Sequence, residues 1–367
     1  MKIMFVSAAN STHTVRWVNA LAERGHEVYL VSNRGHEPKE DALNSRVKLY
    51  LMKHSGGKGY YLNAGELRKI AKRINPDVIN VHYASGYGTL ARKARLPKYI
   101  LSVWGSDVYD FPYESRVKNY ILKRNVRSAS YLASTSNCMA VQLKKVMQDE
   151  KLEITITPFG VDLNQFDPKK YKEIEKEELI IGNIKALEEI YGIEEMILAF
   201  RDLKKELEQE HYSRKIKLLI YGSGSKKEQY EDLINKQNLQ DSVFLKGKIP
   251  NTKVPEAISE FDIFCALSRK ESFGVAAVEA MAMKKPVVAS DADGFKEVIE
   301  DGKTGLIISR KEINKAKDAL KKLVLDEKMR TKMGNNGRQR VEQLYSWNDN
   351  VEKMLNLYER VRCDNEH

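Results

Sequence analysis

The chain of 367 residues, 42% hydrophobic and 31% charged, holds enough for two or three domains with buried cores and suits a cytoplasmic protein. No apolar run approaches the roughly 18–20 residues of a membrane-spanning helix, and three scattered cysteines and seven histidines without paired-ligand spacing leave neither a disulfide framework nor a protein-held metal centre to expect. The net charge of +11 lies wholly in residues 1–165 (25 Lys and Arg against 14 Asp and Glu), while residues 166–367 balance at 37 against 37; the first half therefore points to a polyanionic partner, an anionic membrane surface or nucleic acid, unless it is only a solvated basic face.

Residues 2–7 are apolar and begin like a signal peptide, but the chain turns polar at Asn10-Ser11-Thr12-His13 with no cleavage pattern, so they read as a first buried strand. The loop from Ala8 to His13 either offers donors to a phosphate or an acceptor, or is a simple turn. Thr14 to Arg24 has helical periodicity (Val15, Trp17, Val18, Leu21) and Gly25 is placed as its C-cap. Glu27 to Ser32 is the next strand, which completes a βαβ opening. A strand over 47–52, a helix over 65–74 and a strand over 78–81 follow. His82, just after, is either a cleft residue or a satisfied buried histidine. A strand over 98–103 runs into Trp104-Gly105-Ser106-Asp107. Helices are expected over 116–127 and 137–148, with strands near 130–135 and 153–158. The first of these helices carries Arg116, Lys118, Lys123, Arg124 and Arg127, interleaved with Val117, Tyr120, Ile121 and Leu122. It either lies flat in a lipid interface or turns an ordinary apolar side to the core.

A second set opens with the strand 179–183 and continues with helix 193–208, strand 215–221, helix 226–236, strand 243–246, helix 254–259, strand 261–266, helix 274–283 and strand 286–290. The stretch 314–362 is helical and charged. The turn-rich segment from Phe159-Gly160-Val161-Asp162 to about Lys176 is the linker candidate. Two successive β/α sets predict an α/β protein of two Rossmann-like domains, residues 1–165 and 166–346, facing each other across a cleft. Ligands of such sheets sit at the carboxyl ends of the strands.

The chemistry concentrates in Glu271-Ser272-Phe273-Gly274-Val275-Ala276-Ala277-Val278-Glu279-Ala280-Met281-Ala282. A helix starting near Gly274 would aim its first N–H groups at an anion. Glu279 would lie about one and a half turns inside it and Glu271 just before it, and two fixed carboxylates suit two polyhydroxyl rings. A capped surface helix with incidental glutamates is the plain alternative. Gly222-Ser223-Gly224 after a strand either cradles a phosphate or is a tight turn. Asp291-Ala292-Asp293 has the form of a metal-binding pair but follows a buried strand, and no metal role is expected of it.

The order Glu-Ser-Phe-Gly, Glu-Ala-Met-Ala, Pro-Val-Val-Ala resembles the retaining GT-B glycosyltransferases of family 4, the group 1 glycosyl transferases. Pro76-Asp77-Val78 with His82, Trp104-Gly105-Ser106-Asp107, Pro158-Phe159-Gly160-Val161-Asp162 with Phe166, and Asp301-Gly302 with Thr304-Gly305 extend that resemblance along nearly the whole chain. The resemblance implies that Glu279 binds the ribose of a nucleotide, Glu271 the hydroxyls of the transferred sugar, and the backbone at Phe273, Gly274 and Val275 the diphosphate or sugar, with Gly222 and Gly224 nearby. It implies a pair of cations against the departing diphosphate. The first is Lys185, but the second position, five residues on, is Ile190, which leaves Arg269 or Lys270 as substitutes or the catalyst weakened. It also implies an acceptor domain in which Asn10, His13, His82, Trp104 and Asp107 meet the acceptor, with Asp107 orienting or partly deprotonating it. The family's last helix, here from Trp347 to about 367, packs back on that domain.

The resulting expectation is a retaining glycosyltransferase with Asp107, Lys185 and Glu271 as catalytic residues and no metal cofactor. It would take a nucleotide-sugar donor, UDP-sugar favoured, and a glycan or polyprenyl-diphosphate-linked saccharide acceptor in surface polysaccharide synthesis. It would be cytoplasmic and peripheral at the inner face of the membrane, held by anionic lipid, with no nucleic acid partner. The alternatives are a nucleotide-sugar-binding relative with little or no turnover, suggested by Ile190, and a nucleic-acid-binding protein, suggested by the charge.

Overall fold

The computed structural model describes residues 1–171 and 177–366, so the last five residues of the expected linker lie outside the described residues. The chain divides into two units. The first is made of 1–158 and 348–367, and the second of 159–347.

The first unit is built on seven parallel strands: β1 (Lys2–Val6), β2 (Glu27–Arg34), β3 (Lys48–Ser55), β4 (Val78–His82), β5 (Ile100–Val103), β6 (Tyr131–Ser134) and β7 (Thr155–Ile156), in the order β3-β2-β1-β4-β5-β6-β7. Ile3, Met4, Phe5 and Val6 are all fully buried. A central parallel strand is covered by helices on both faces and therefore reads as a continuous apolar run. Between β1 and β4 the winding reverses, so the loops at their carboxyl ends diverge and leave a crevice. The helix Trp347–Glu366 joins this unit beyond its first residue. Tyr358, fully buried, accepts a 2.7 Å hydrogen bond at its hydroxyl from Asn80 of β4, and Tyr131 of β6 donates to Asp364 at 2.6 Å.

The second unit repeats the plan with β8 (Glu178–Ile184), β9 (Lys215–Tyr221), β10 (Val243–Gly247), β11 (Ile263–Ala266), β12 (Val287–Ser290) and β13 (Gly305–Ile308), in the order β10-β9-β8-β11-β12-β13, again all parallel. Its reversal falls between β8 and β11. Phe159, expected in the first domain, belongs here. Its ring meets Phe273 edge-on at 6.0 Å, while Val161 N–H donates to Tyr345 O at 2.8 Å and Trp347 N–H to Val161 O at 3.0 Å. These contacts draw the division back to residue 158 from the expected 165.

Gly56–Leu62 and Gly86–Ala94 are helices in stretches where no element was expected. A Cβ on Gly86 would lie 2.4 Å from the Tyr60 ring, so this glycine lets two helices touch rather than breaking one. Gly305 opens β13, and the Asp301–Thr304 turn leads into it.

Candidate functional site

The reversal of the second sheet brings two loops together. Asn183, in β8, donates its side-chain amide to Cys265 O of β11 at 2.6 Å, which fixes the two strands side by side. Lys185 follows directly, its N–H held by Tyr221 O at 2.9 Å. Its ammonium donates to Glu271 Oε2 at 2.7 Å, and the two side chains are 22% and 12% exposed. The ring of Tyr191 covers the same ammonium, 4.8 Å from its centroid. Burial alone would lower the Lys185 pKa. The Glu271 carboxylate outweighs it, with smaller help from Tyr191 and Glu279, and the net shift is upward. Lys185 therefore stays charged, and Glu279 lies within its field.

The loop after β11 is tied at both ends. Arg269 N–H donates to Ile190 O at 2.7 Å and Gly294 N–H to Glu271 O at 2.9 Å. Gly274 takes φ +99° as N-cap of the helix Val275–Ala282, a conformation that suits glycine. No side chain caps this helix and its first turn carries no acid, so its N-terminal N–H groups and partial positive charge remain for an anion. Phe273 is 2% exposed and packs edge-on to Tyr345, so only its backbone serves such a site.

Other expected donor residues are differently employed. Arg269, a candidate second cation, gives its guanidinium to Glu195 at 2.8 Å and to Glu189. Its charge is already balanced, so it is not a free partner for a diphosphate. A Cβ on Gly222 would fall 1.9 Å from Lys185 O and one on Gly224 2.3 Å from Leu187 O. Both glycines serve close approach of the β8 and β9 loops. Ile190 is not the residue that meets Lys185. A short 3-10 turn, Glu189–Tyr191, puts the next residue there. Sequence reasoning missed Tyr191, and the signal available was its place directly before Gly192. Asp291 and Asp293 pair with Arg310 and Lys296 at 2.8 and 3.1 Å, and no three His, Cys, Asp or Glu side chains among the described residues group as a ligand set.

In the first unit, His82, Trp104 and His13 gather at the carboxyl ends of β1, β4 and β5. The rings of His82 and Trp104 are 4.1 Å apart, and those of His13 and Trp104 5.9 Å. His82 is fully buried. Its Nδ1 pairs with Ser7 Oγ at 3.1 Å, its Nε2 has no protein partner, and burial, with the nearby His13, pushes its pKa down to about 3. Asn10 is exposed. Asp107 corrects an expectation. It is 1% exposed, and its oxygens accept from the N–H groups of Ala84 (2.8 Å), Gly105 (2.8 Å) and Trp104 (3.1 Å). Burial raises its pKa while these bonds pull it back. The carboxylate fastens two loops together and does not face an acceptor hydroxyl as a base.

The family model described as Glycosyl transferases group 1 matches residues 164–340, and that described as Glycosyl transferase 4-like matches residues 2–136. Over 361 residues the chain is 24% identical to an N-acetyl-alpha-D-glucosaminyl L-malate synthase of Bacillus anthracis, covering 94% of this chain and 91% of that protein. The fold is similar to that of a sucrose-phosphate synthase from Thermosynechococcus elongatus, with a TM-score of 0.84, 18% identity and 99% of each chain covered. It is also similar to the Anabaena protein HepE in complex with UDP-glucose, with a TM-score of 0.76, 15% identity, and 98% of this chain and 100% of that one covered.

Proposed function

The chain belongs to the group 1 glycosyltransferases and is a sugar-transferring enzyme of the GT-B fold, and from that premise we propose that it transfers a sugar with retention from a nucleotide-diphosphate donor, a UDP-sugar, to a saccharide acceptor. The observation that carries this reading is the Lys185–Glu271 pair, 2.7 Å apart, beside the uncapped N-terminus of the Val275–Ala282 helix. A charged lysine and a helix N-terminus suit a diphosphate. Glu271 and Glu279 suit the hydroxyls of the sugar and the ribose. The UDP preference draws on the Anabaena complex.

In the proposed reaction the bond from the anomeric carbon to the phosphate oxygen breaks while the acceptor oxygen bonds the same carbon on the same face. The acceptor proton passes to the departing phosphate oxygen, so no protein base is required. Lys185 and the helix N–H groups act where the leaving group gains charge, and donors fixed at developing charge lower the barrier most. They supply the positive charge themselves, and EDTA-treated enzyme is expected to keep its activity.

We assign the acceptor to the first unit, with a glycan or lipid-linked saccharide as its class and an anionic membrane as its surface. The first unit carries 28 Lys and Arg against 18 Asp and Glu, the second 34 against 33. On the helix Arg116–Ser128 the outward face holds Arg116, Val117, Tyr120, Arg124 and Arg127, with Val117 66% and Tyr120 60% exposed and no acid in the helix. Aromatic and basic residues on one exposed face suit a lipid headgroup layer. No helix among the described residues is long and apolar enough to cross a membrane. The test is a thermal-shift screen with UDP, GDP and ADP, because a ligand that binds only the folded state stabilises it. Stabilisation by UDP alone supports the donor assignment, and a response to GDP or ADP instead refutes it.

A further inference from the structure

We infer that Tyr191 is a positioning residue of the donor site, its ring standing where a second cation would be expected and holding the Lys185 ammonium in place. This rests on the reading of Lys185 as the diphosphate partner. The ring lies 4.8 Å from the ammonium on one side, with Glu271 2.7 Å away on another. No hydrogen bond of the Tyr191 hydroxyl to protein is found among the described residues, so what the side chain contributes in the folded protein is its aromatic face.

The placement is built in from several directions. Ile190 O is taken by Arg269 N–H at 2.7 Å. Glu188 accepts from both the N–H and the hydroxyl of Ser225 at 2.6 Å, and Glu189 holds Arg269. Gly192 follows at φ +66°, where a Cβ would lie 2.1 Å from Leu267 O. The short turn is thus pinned before and after Tyr191, which holds the backbone from which the ring reaches Lys185.

The physical consequence differs from that of a second lysine. Two cations repel each other and are held together only by the anion they bind. A ring attracts an ammonium by its quadrupole, and the strength rises from a few-fold to about thirtyfold in an equilibrium as water is excluded. Tyr191 therefore prepares Lys185 before the donor arrives. If Glu271 turns to the sugar hydroxyls, the ring still fixes the ammonium where charge develops on the leaving phosphate. The loss on removing the ring should fall on kcat rather than on donor binding.

The experiment measures UDP release from UDP-glucose and UDP-N-acetylglucosamine, and UDP binding by calorimetry, in the full chain. Tyr191→Phe should stay within about twofold of the unchanged enzyme in kcat and KM. Tyr191→Leu and Tyr191→Gln should each lose about tenfold in kcat with less than threefold change in UDP affinity, and thermal unfolding identifies which of the two is folded as the unchanged protein is. Ile190→Lys should bring no gain. An unchanged kcat in the ringless variants, or an equal loss in Tyr191→Phe, overturns the inference and leaves the donor site standing. Absence of both UDP binding and UDP release in the unchanged enzyme overturns the donor-site reading, and the inference with it.

Discussion

Replacing Lys185 by Met tests whether its pairing with Glu271 serves the fold or the reaction. With the ammonium gone, the Glu271 carboxylate, 12% exposed, loses its 2.7 Å partner. Removing one member of a fully buried pair costs about 3–5 kcal/mol. Water reaches this pair in part, so the expected loss is about 1–3 kcal/mol. In the second unit, of roughly 190 residues, that corresponds to a Tm lower by about 2–12 °C. Lys185→Met/Glu271→Gln removes both charges and should recover most of the lost Tm. Turnover should not follow. Loss of a donor aimed at leaving-group charge typically costs about 100- to 1,000-fold in kcat, and the double variant should remain as slow as the single. Calorimetric unfolding and UDP release read the two quantities separately. If the double variant regains turnover along with stability, the pair is a strut, and the argument that Lys185 meets the diphosphate fails.

Glu279→Ala should weaken UDP binding by about 1–3 kcal/mol in calorimetry, the scale of a lost hydrogen-bond partner; unchanged affinity would remove it from the ribose. His82, with its pKa held near 3 in the fold against about 6.5 unfolded, leaves the unfolded chain binding more protons between those values. Stability should therefore fall as pH drops below 6.5, by up to about 1.4 kcal/mol per unit, and His82→Gln should flatten the profile of Tm between pH 6.5 and 5. Arg116→Gln/Arg124→Gln/Arg127→Gln should lose about 3 kcal/mol of binding to anionic vesicles at low salt, read by co-sedimentation; undiminished binding, or equal binding to neutral vesicles, would rule out this face as the contact.

The alternating plan of strands and helices was legible because buried parallel strands are continuous apolar runs and their helices keep a regular period. The helix Gly86–Ala94 was not legible, because its first glycine serves tertiary packing: Tyr60 leaves no room there for a side chain. At the site, Lys185, Glu271 and the helix start were marked by the residue types and their order. Tyr191 was not, because counting five residues from Lys185 assumes a loop without the extra 3-10 turn. Asp107 and Arg269 were recognisable as charges, but nothing in the sequence tells that three N–H groups or two glutamates have already claimed them.

The first unit is discontinuous, and this sets a timetable for synthesis. Some 190 residues separate Pro158 from Asn348, where the chain re-enters the unit. At about 5–20 residues per second, a ribosome takes roughly 10–40 s to make them. For that interval the Asn80 amide on β4 lacks Tyr358, the partner that covers it at 2.7 Å in the finished protein. The nascent first unit must wait with part of one face of its sheet uncovered while the whole second unit emerges, and it is in this waiting form that a chaperone would find the most to hold.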